Sequence, residues 1–426
     1  MHTVRPYLLV FAASAGVTFA ITPIVRRLSM RLGWIDRPSD RKVHPNPTPT
    51  AGGIAMYVGV AAGLVAARLI PFLSDLHETS SELDAAFVAA TVVVVLGVID
   101  DTRGVTALGK LAGQVLAAGL VVLLGVQLLY FYFPGQGVVS PPPDVAVPLT
   151  VLWIVALMNA VNLVDGLDGL AAGMVAIAAI AFFAYFRTPD GTEQGSVAAL
   201  MSAIVAGVAI GFLPWNFHPA KIFMGDSGAL MLGLLMAVAT ISGVGQNLAG
   251  PSGGDLAVIA IPIVVPLLVL AVPLLDVVLA IIRRMRRGIG IAHADKQHIH
   301  HRLMDIGHTH RQAVLLMYLW GALIAAAALV VAYVDGRTLV AVILASAVLI
   351  ATVLPRLVRD RSPRGSDRPV AAVSVSGQRI GRHRRGSRAG ATPPPAAVSS
   401  IGDGAAPADA EPTLSEPGQT RSRDSA

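Results

Sequence analysis

The sequence predicts an all-α polytopic membrane protein with about eleven transmembrane helices, its N-terminus outside and its C-terminus cytoplasmic. Three observations predict it. The 426 residues are 54% hydrophobic and only 14% charged, more apolar surface than a soluble core can absorb. The apolar residues come in runs of about 20, the helical length that crosses a bilayer core of roughly 30 Å. These runs are continuous and rich in Ala, Val and Leu, without the alternation of a barrel strand. In lipid every backbone N–H and C=O must bond internally, so such runs become helices.

In order, the spans fall at roughly 6–25, 52–72, 85–99, 108–132, 148–164, 169–187, 196–214, 227–247, 256–282, 313–334 and 338–358. The first reads as a retained span, because Arg26 and Arg27 follow it where a signal peptide would have a small-residue cleavage site. The connecting loops alternate. One set carries Arg26, Arg27, Arg31, Arg37, Arg41 and Lys42, then Arg103 and Lys110, then Lys221, then the run from Arg283 to Arg311. The other carries Asp75, Glu78, Glu82 and Asp84, then Asp144, then Asp190 and Glu193, then Asp255. The positive-inside rule makes the first set cytoplasmic.

Residues 1–358 form the integral membrane domain. Residues 359–426 are rich in Pro, Ser, Gly and Arg with few large apolar side chains, and read as a disordered cytoplasmic tail. From Arg356 onward there are 12 Arg against 7 acids, which accounts for most of the net charge of +6. No basic stripe interleaved with aromatics remains, which argues against nucleic-acid binding. With no cysteine, disulfides and thiolate metal sites are excluded.

Acids and histidines near lipid survive mostly for function. Here they gather at span ends on the basic-loop side. Asp100-Asp101 closes the third span and Gly104 breaks the chain after it; adjacent carboxylates there suit Mg²⁺ or proton transfer. The run Asn159-Ala-Val-Asn162-Leu-Val-Asp165-Gly-Leu-Asp168-Gly169 cannot face one way on an ideal helix, since three-residue steps drift by about 60°. Gly166 and Gly169 permit a break, with Asn159 and Asn162 on the last turn and Asp165 and Asp168 on the turn into the next span. Gly225-Asp226-Ser227-Gly228 opens a span, where Asp226 or Ser227 can cap the helix and Asp226 can hold a metal bridging to phosphate.

The largest basic loop holds His298, His300, His301 and Arg302; imidazoles with a guanidinium suit a diphosphate, and no zinc-protease pattern is present. His308 and His310 read as ordinary loop residues. Near the start, Lys42 and His44 lie in a proline-stiffened basic loop ending in Gly52-Gly53, and Asp276 lies within Pro273-Leu-Leu-Asp276.

Together these motifs, in this order over residues 1–358, resemble the polyprenyl-phosphate N-acetylhexosamine-1-phosphate transferases, of the glycosyltransferase 4 type. The layout and the His-x-His-His-Arg loop look like the branch that uses UDP-GlcNAc; the branch using UDP-MurNAc-pentapeptide is less similar. The resemblance implies transfer of GlcNAc-1-phosphate from UDP-GlcNAc to polyprenyl phosphate, releasing UMP, at the start of cell-envelope polysaccharide assembly. An intramembrane prenyltransferase fits less well, because Asp100-Asp101-Thr-Arg-Gly lacks the later acid of an Asp-x-x-x-Asp motif. The resemblance further implies a plasma (inner) membrane enzyme with a cytoplasmic active site. Its cofactor is Mg²⁺, with Mn²⁺ as the alternative, held by Asn162 and Asp226. Asp100, Asp101, Asp165 and Asp168 are the implied catalytic group. Lys42, His44, Lys110, Asn159, His298, His300, His301 and Arg302 are the implied substrate contacts. Membrane lipids surround the chain, and dimers occur in the family.

Overall fold

The computed structural model of the chain describes residues 4–38, 46–129, 131–133, 137–187, 196–245 and 309–333. The expected spans near 256–282 and 338–358, the tail from 359, Lys42, His44, Asp276, His298, His300, His301, Arg302 and His308 lie outside the described residues.

The described chain is helical throughout its spans. In order the helices are α1 (Arg5–Leu32), α2 (Gly53–Leu69), the short α3 (Pro71–Thr79), α4 (Glu82–Arg103), α5 (Ala107–Leu123), α6 (Pro143–Val164), α7 (Leu170–Phe186), α8 (Val197–Asn216), α9 (Gly225–Thr240) and α10 (His310–Tyr333). A π-helical turn, Ile241–Gly245, continues α9. Six of these are long and apolar enough to cross a membrane, and α2, α5 and α7 are shorter apolar helices. Nine of the expected spans therefore have a helical counterpart among the described residues.

Several boundaries differ from expectation, and three of them have a plain local cause. The first helix runs on to Leu32, carrying Arg26, Arg27 and Arg31 on its last turns until Gly33 (φ 73°) stops it. Arg is a good helix former and favours the negative end of the helix dipole. The second ends at Leu69, because Ile70 is extended and Pro71 starts a separate helix. The fourth ends at Leu123, with Gly125 (φ 96°) just beyond, and Phe131–Phe133 enters a strand instead. The expectation of a purely helical chain is corrected by two small antiparallel pairs, β1 (Ile35–Asp36) with β2 (Thr48–Pro49), and β3 (Phe131–Phe133) with β4 (Gly137–Val139).

The packing is that of a protein in lipid. The buried face of α1 is small and hydroxylic, with Ser14, Thr18, Thr22 and Ser29 all enclosed, while Leu8, Leu9, Phe19, Ile24 and Leu28 face outward. Between helices surrounded by hydrocarbon, close contact and hydrogen bonds replace the hydrophobic effect as the driving force. On α8, Gly207 and Gly211 let α1 approach so closely that a Cβ at Gly207 would sit 2.6 Å from the Phe11 carbonyl oxygen, and one at Gly211 would overlap the Ala15 backbone.

The innermost element is α9, whose residues from Ser227 to Thr240 are all buried. It packs on α2, α4, α6 and α8. Contacts at one end of the helices fix their alternation. Arg68, ending α2, pairs with Asp84 at the start of α4 at 2.8 Å. Ser81 Oγ donates to the Leu124 carbonyl at 2.7 Å, joining the start of α4 to the end of α5. The opposite ends of α4 and α5, with the end of α6, meet the start of α9.

Gly211→Ala should therefore destabilise the protein by about 1–3 kcal/mol through overpacking, whereas Gly16→Ala, which meets nothing within 4 Å, should be neutral or slightly stabilising. Thermal unfolding of the two purified variants in detergent checks this.

Candidate active site

Four helix ends build the site. α4 stops at Arg103 because Gly104 takes φ 74°, and Val105 N turns back to bond Asp100 Oδ1 at 2.7 Å. Thr106 then caps α5, accepting from Gly109 N at 3.2 Å. The tight reversal brings Lys110, on the first turn of α5, alongside Asp100: its Nζ lies 3.2 Å from Asp100 Oδ2. The same ammonium bonds Asp226 Oδ2 and lies 3.5 Å from Asn162 Oδ1. Asn162 Nδ2 in turn donates to Asp226 Oδ1. Residues 52 and 116 positions from Lys110 in sequence are thus drawn, with Asp100, round one positive charge. Carboxylate and amide oxygens gathered in this way are the hard donor set that Mg²⁺ or Mn²⁺ prefers. The Lys110 ammonium stands among them as a stand-in cation, so Asn162 and Asp226 fit a divalent ion, with Asp100 beside them.

Asp101 turns the other way. Its Oδ1 accepts from Asp226 N at 2.8 Å, and its Oδ2 accepts from Ser227 Oγ at 2.9 Å and Ser227 N at 3.3 Å. Neither Asp226 nor Ser227 caps α9 with its own side chain; Asp101 does so from α4.

The chain reverses between α6 and α7 at 165–169, as the glycines suggested. Gly169 takes φ 79°, while Gly166 keeps an ordinary conformation. Asp165 ends α6 with its N–H on Val161 and Asn162 carbonyls. Its carboxyl is pushed up to about 8, first by burial and then by the carboxylates of Asp226, Asp101 and Asp168.

Asp168 sits in a second cluster. Its Oδ2 bonds His218 Nδ1 at 2.7 Å and accepts from Ala220 N at 3.1 Å. The His218 ring stacks on His310 at 4.1 Å with 16° between planes. His310 is therefore no ordinary loop residue: it begins α10, and Arg311 Nε beside it bonds the His218 carbonyl at 3.0 Å. Ligand atoms of Asp168, His218 and His310 lie within 4.8 Å of one another. Near-parallel imidazoles aim their in-plane lone pairs side by side, however, so this cluster is a stacked, hydrogen-bonded tie between helices.

Asn159, expected at the substrate, lies one turn deeper. It donates to Gln114 Oε1 at 2.7 Å and to the Val155 carbonyl at 2.8 Å, joining α5 to α6. Gln114, His218 and Asn216, whose Oδ1 holds Gly169 N at 3.0 Å, were not singled out from sequence. A buried amide inside an apolar run, and a Trp-Asn-Phe-His cluster closing a span, were the available signals.

The raised carboxyl of Asp165 has a direction that can be tested. A carboxyl whose folded value lies near 8 rather than the ordinary 3.8 keeps its stabilising proton at low pH and loses that contribution as pH climbs toward 8. Without divalent cations, wild-type stability should fall from about pH 5 to pH 8, and Asp165→Asn should flatten the fall. Unfolding midpoints across that range in chelator provide the measurement.

Known proteins match this chain over most of its length. Residues 84–244, which carry Asp100, Asn162, Asp165, Asp168 and Asp226, match the sequence profile of Glycosyl transferase family 4. The decaprenyl-phosphate N-acetylglucosaminephosphotransferase of Mycobacterium leprae is 41% identical over 366 residues, covering 83% of this chain and 92% of the relative. The protein of the same name from Mycolicibacterium smegmatis is 40% identical over 375 residues, covering 86% and 92%. That of Mycobacterium tuberculosis is 40% identical over 366 residues, covering 83% and 90%. With this likeness over matched lengths, and with the oxygen cluster formed inside the matched segment, the chain belongs to glycosyl transferase family 4 as a multi-pass membrane phospho-sugar transferase.

Proposed function

We propose that this protein transfers GlcNAc-1-phosphate from UDP-GlcNAc to polyprenyl phosphate, giving polyprenyl-diphospho-GlcNAc and UMP, at the cytoplasmic face of the plasma membrane. The observation that carries the reading is the meeting of Asp100, Lys110, Asn162 and Asp226 at one end of the helices. The names of the mycobacterial relatives, each a decaprenyl-phosphate N-acetylglucosaminephosphotransferase, support a polyprenyl phosphate acceptor and transfer of an N-acetylglucosamine phosphate group.

Two anions must approach each other for this reaction, so charge has to be offset where the phosphates meet. A divalent cation held by Asn162 and Asp226 would supply that neutralisation and polarise the transferring phosphorus. Lys110 contributes a further positive charge from α5. Asp100, fixed by Val105 N on one oxygen, is assigned to position the lipid phosphate and take its residual proton. The phosphate oxygen then forms a bond to the β-phosphorus, the bridging bond to UMP breaks, and UMP departs. Asp165 is assigned to orient the diphosphate side of the site, while Asp168, engaged by His218 and Ala220 N, holds the reversal that carries it. Lys42, His44, His298, His300, His301 and Arg302 are assigned to substrate on the resemblance given above.

Basic residues support the orientation. Arg26 Nε bonds the Lys221 carbonyl at 3.0 Å, and Arg311 bonds that of His218, so three basic side chains lie at the site end. The acids Asp75, Glu78 and Asp84 belong to the other end, where Asp84 meets Arg68. On the positive-inside rule we take the site to face the cytoplasm and the N-terminus to lie outside.

Purified protein supplied with decaprenyl phosphate should release UMP from UDP-GlcNAc, and should not do so from UDP-MurNAc-pentapeptide; chelation should abolish release and Mg²⁺ restore it. Asp226→Asn should lower kcat on the order of 10²–10³-fold while the protein still inserts in membranes. Near wild-type turnover in that variant would remove Asp226 from the site.

A further inference from the structure

We infer that Asp101 is a positioning residue: it serves as the N-cap of a helix other than its own, and so sets where Asp226 stands. Three donors converge on its carboxylate, namely Asp226 N, Ser227 N and Ser227 Oγ. A carboxylate engaged in this way has satisfied the free N–H groups and positive end of a buried helix, and it has little capacity left for a substrate proton.

The surroundings are shaped for this contact. Gly225 takes φ 68°, and a Cβ there would overlap the Asp101 carboxyl. Gly97 lies one turn before Asp101 on α4, and its Cβ would overlap the Ser227 backbone. From the opposite side, Gly52 N and Gly53 N donate to the Phe223 and Met224 carbonyls, each at 2.9 Å. The first turn of α9 is thus held between the start of α2 and the end of α4, and among the described residues of those two helix ends Asp101 brings the charge to that grip. Asp226 lies on the same turn. Its side chain points to Lys110 and Asn162 while its own N–H is fixed by Asp101. The adjacent acids Asp100 and Asp101 therefore divide the work: one faces the reacting groups, the other holds the helix that presents Asp226.

For its consequence on cation binding the inference rests on the Asn162–Asp226 reading; for its consequence on the helix it does not. The test compares Asp101→Asn and the milder Ser227→Ala with wild type in detergent, by hydrogen exchange at the amides of residues 226 and 227 and by Mn²⁺ binding followed through the spectrum of the free ion. Both variants should exchange faster at these two amides. Asp101→Asn should weaken Mn²⁺ binding about tenfold, as removal of an outer-sphere support does, and the double variant should lose less than the sum of the two. Its kcat at saturating Mn²⁺ should fall less than tenfold, with the pH profile unmoved, whereas Asp100→Asn should abolish turnover. Unchanged exchange at 226–227 in both variants overturns the inference, as does an Asp101→Asn protein with wild-type Mn²⁺ affinity and no turnover. Wild-type protein that binds no Mn²⁺ sinks the cation site instead, and leaves the exchange result to decide the role of Asp101.

Discussion

Ionised carboxylates are costly among apolar helices, and the site exists because helix ends reduce that cost. Where a helix stops, unpaired N–H groups and the end of the dipole can hold an acid that the middle of the helix could not. The acids of this chain use that provision in different ways. Asp101 sits on the start of α9, Asp100 on the N–H of Val105 after the break at Gly104, and Asp168 on Ala220 N and His218. Asp226 is balanced by Lys110 and Asn162. Asp165, with three carboxylates as neighbours, is driven toward its neutral form.

This arrangement explains which parts were legible in the linear chain. Helix ends are marked locally, by Gly104, by Gly169 and by the Gly225-Asp226-Ser227 turn, so the motifs could be assigned to ends of spans before any fold was known. Loop charge gave a separate indication that these ends share a face, and the distances among Asp100, Lys110, Asn162 and Asp226 agree with it. What stayed hidden are choices made by tertiary partners. Nothing local tells that Asp101 points to α9 while Asp100 points to Lys110. The pairing of Asn159 with Gln114 joins residues 45 apart, and the stacking of His218 on His310 depends on two helix ends meeting. Boundaries failed where hydrophobicity continued past a backbone break, as at Leu123 and Leu69.

Support for the site extends into the bundle. α9 is enclosed on all sides, and the helices that surround it approach through glycines and small residues, because lipid gives no net reward for burying a larger apolar chain. Close backbone contact leaves few alternative arrangements, so the first turn of α9 inherits the rigidity of its neighbours. A buried Gln114–Asn159 amide pair between α5 and α6 extends the same logic one turn below the carboxylates.

The reversal at 165–169 has a consequence for what lengths of chain this architecture can accept. Its backbone is fixed by Asn216 on Gly169 N and by Tyr318, whose hydroxyl bonds the Gly169 carbonyl. One added residue would turn all of α7 by about 100° and slide it by roughly 1.5 Å, taking Asp168 off His218 and the helix's small face off α8. Insertions and deletions are thus barred here although the segment is a loop, and length variation must be accommodated elsewhere in the chain.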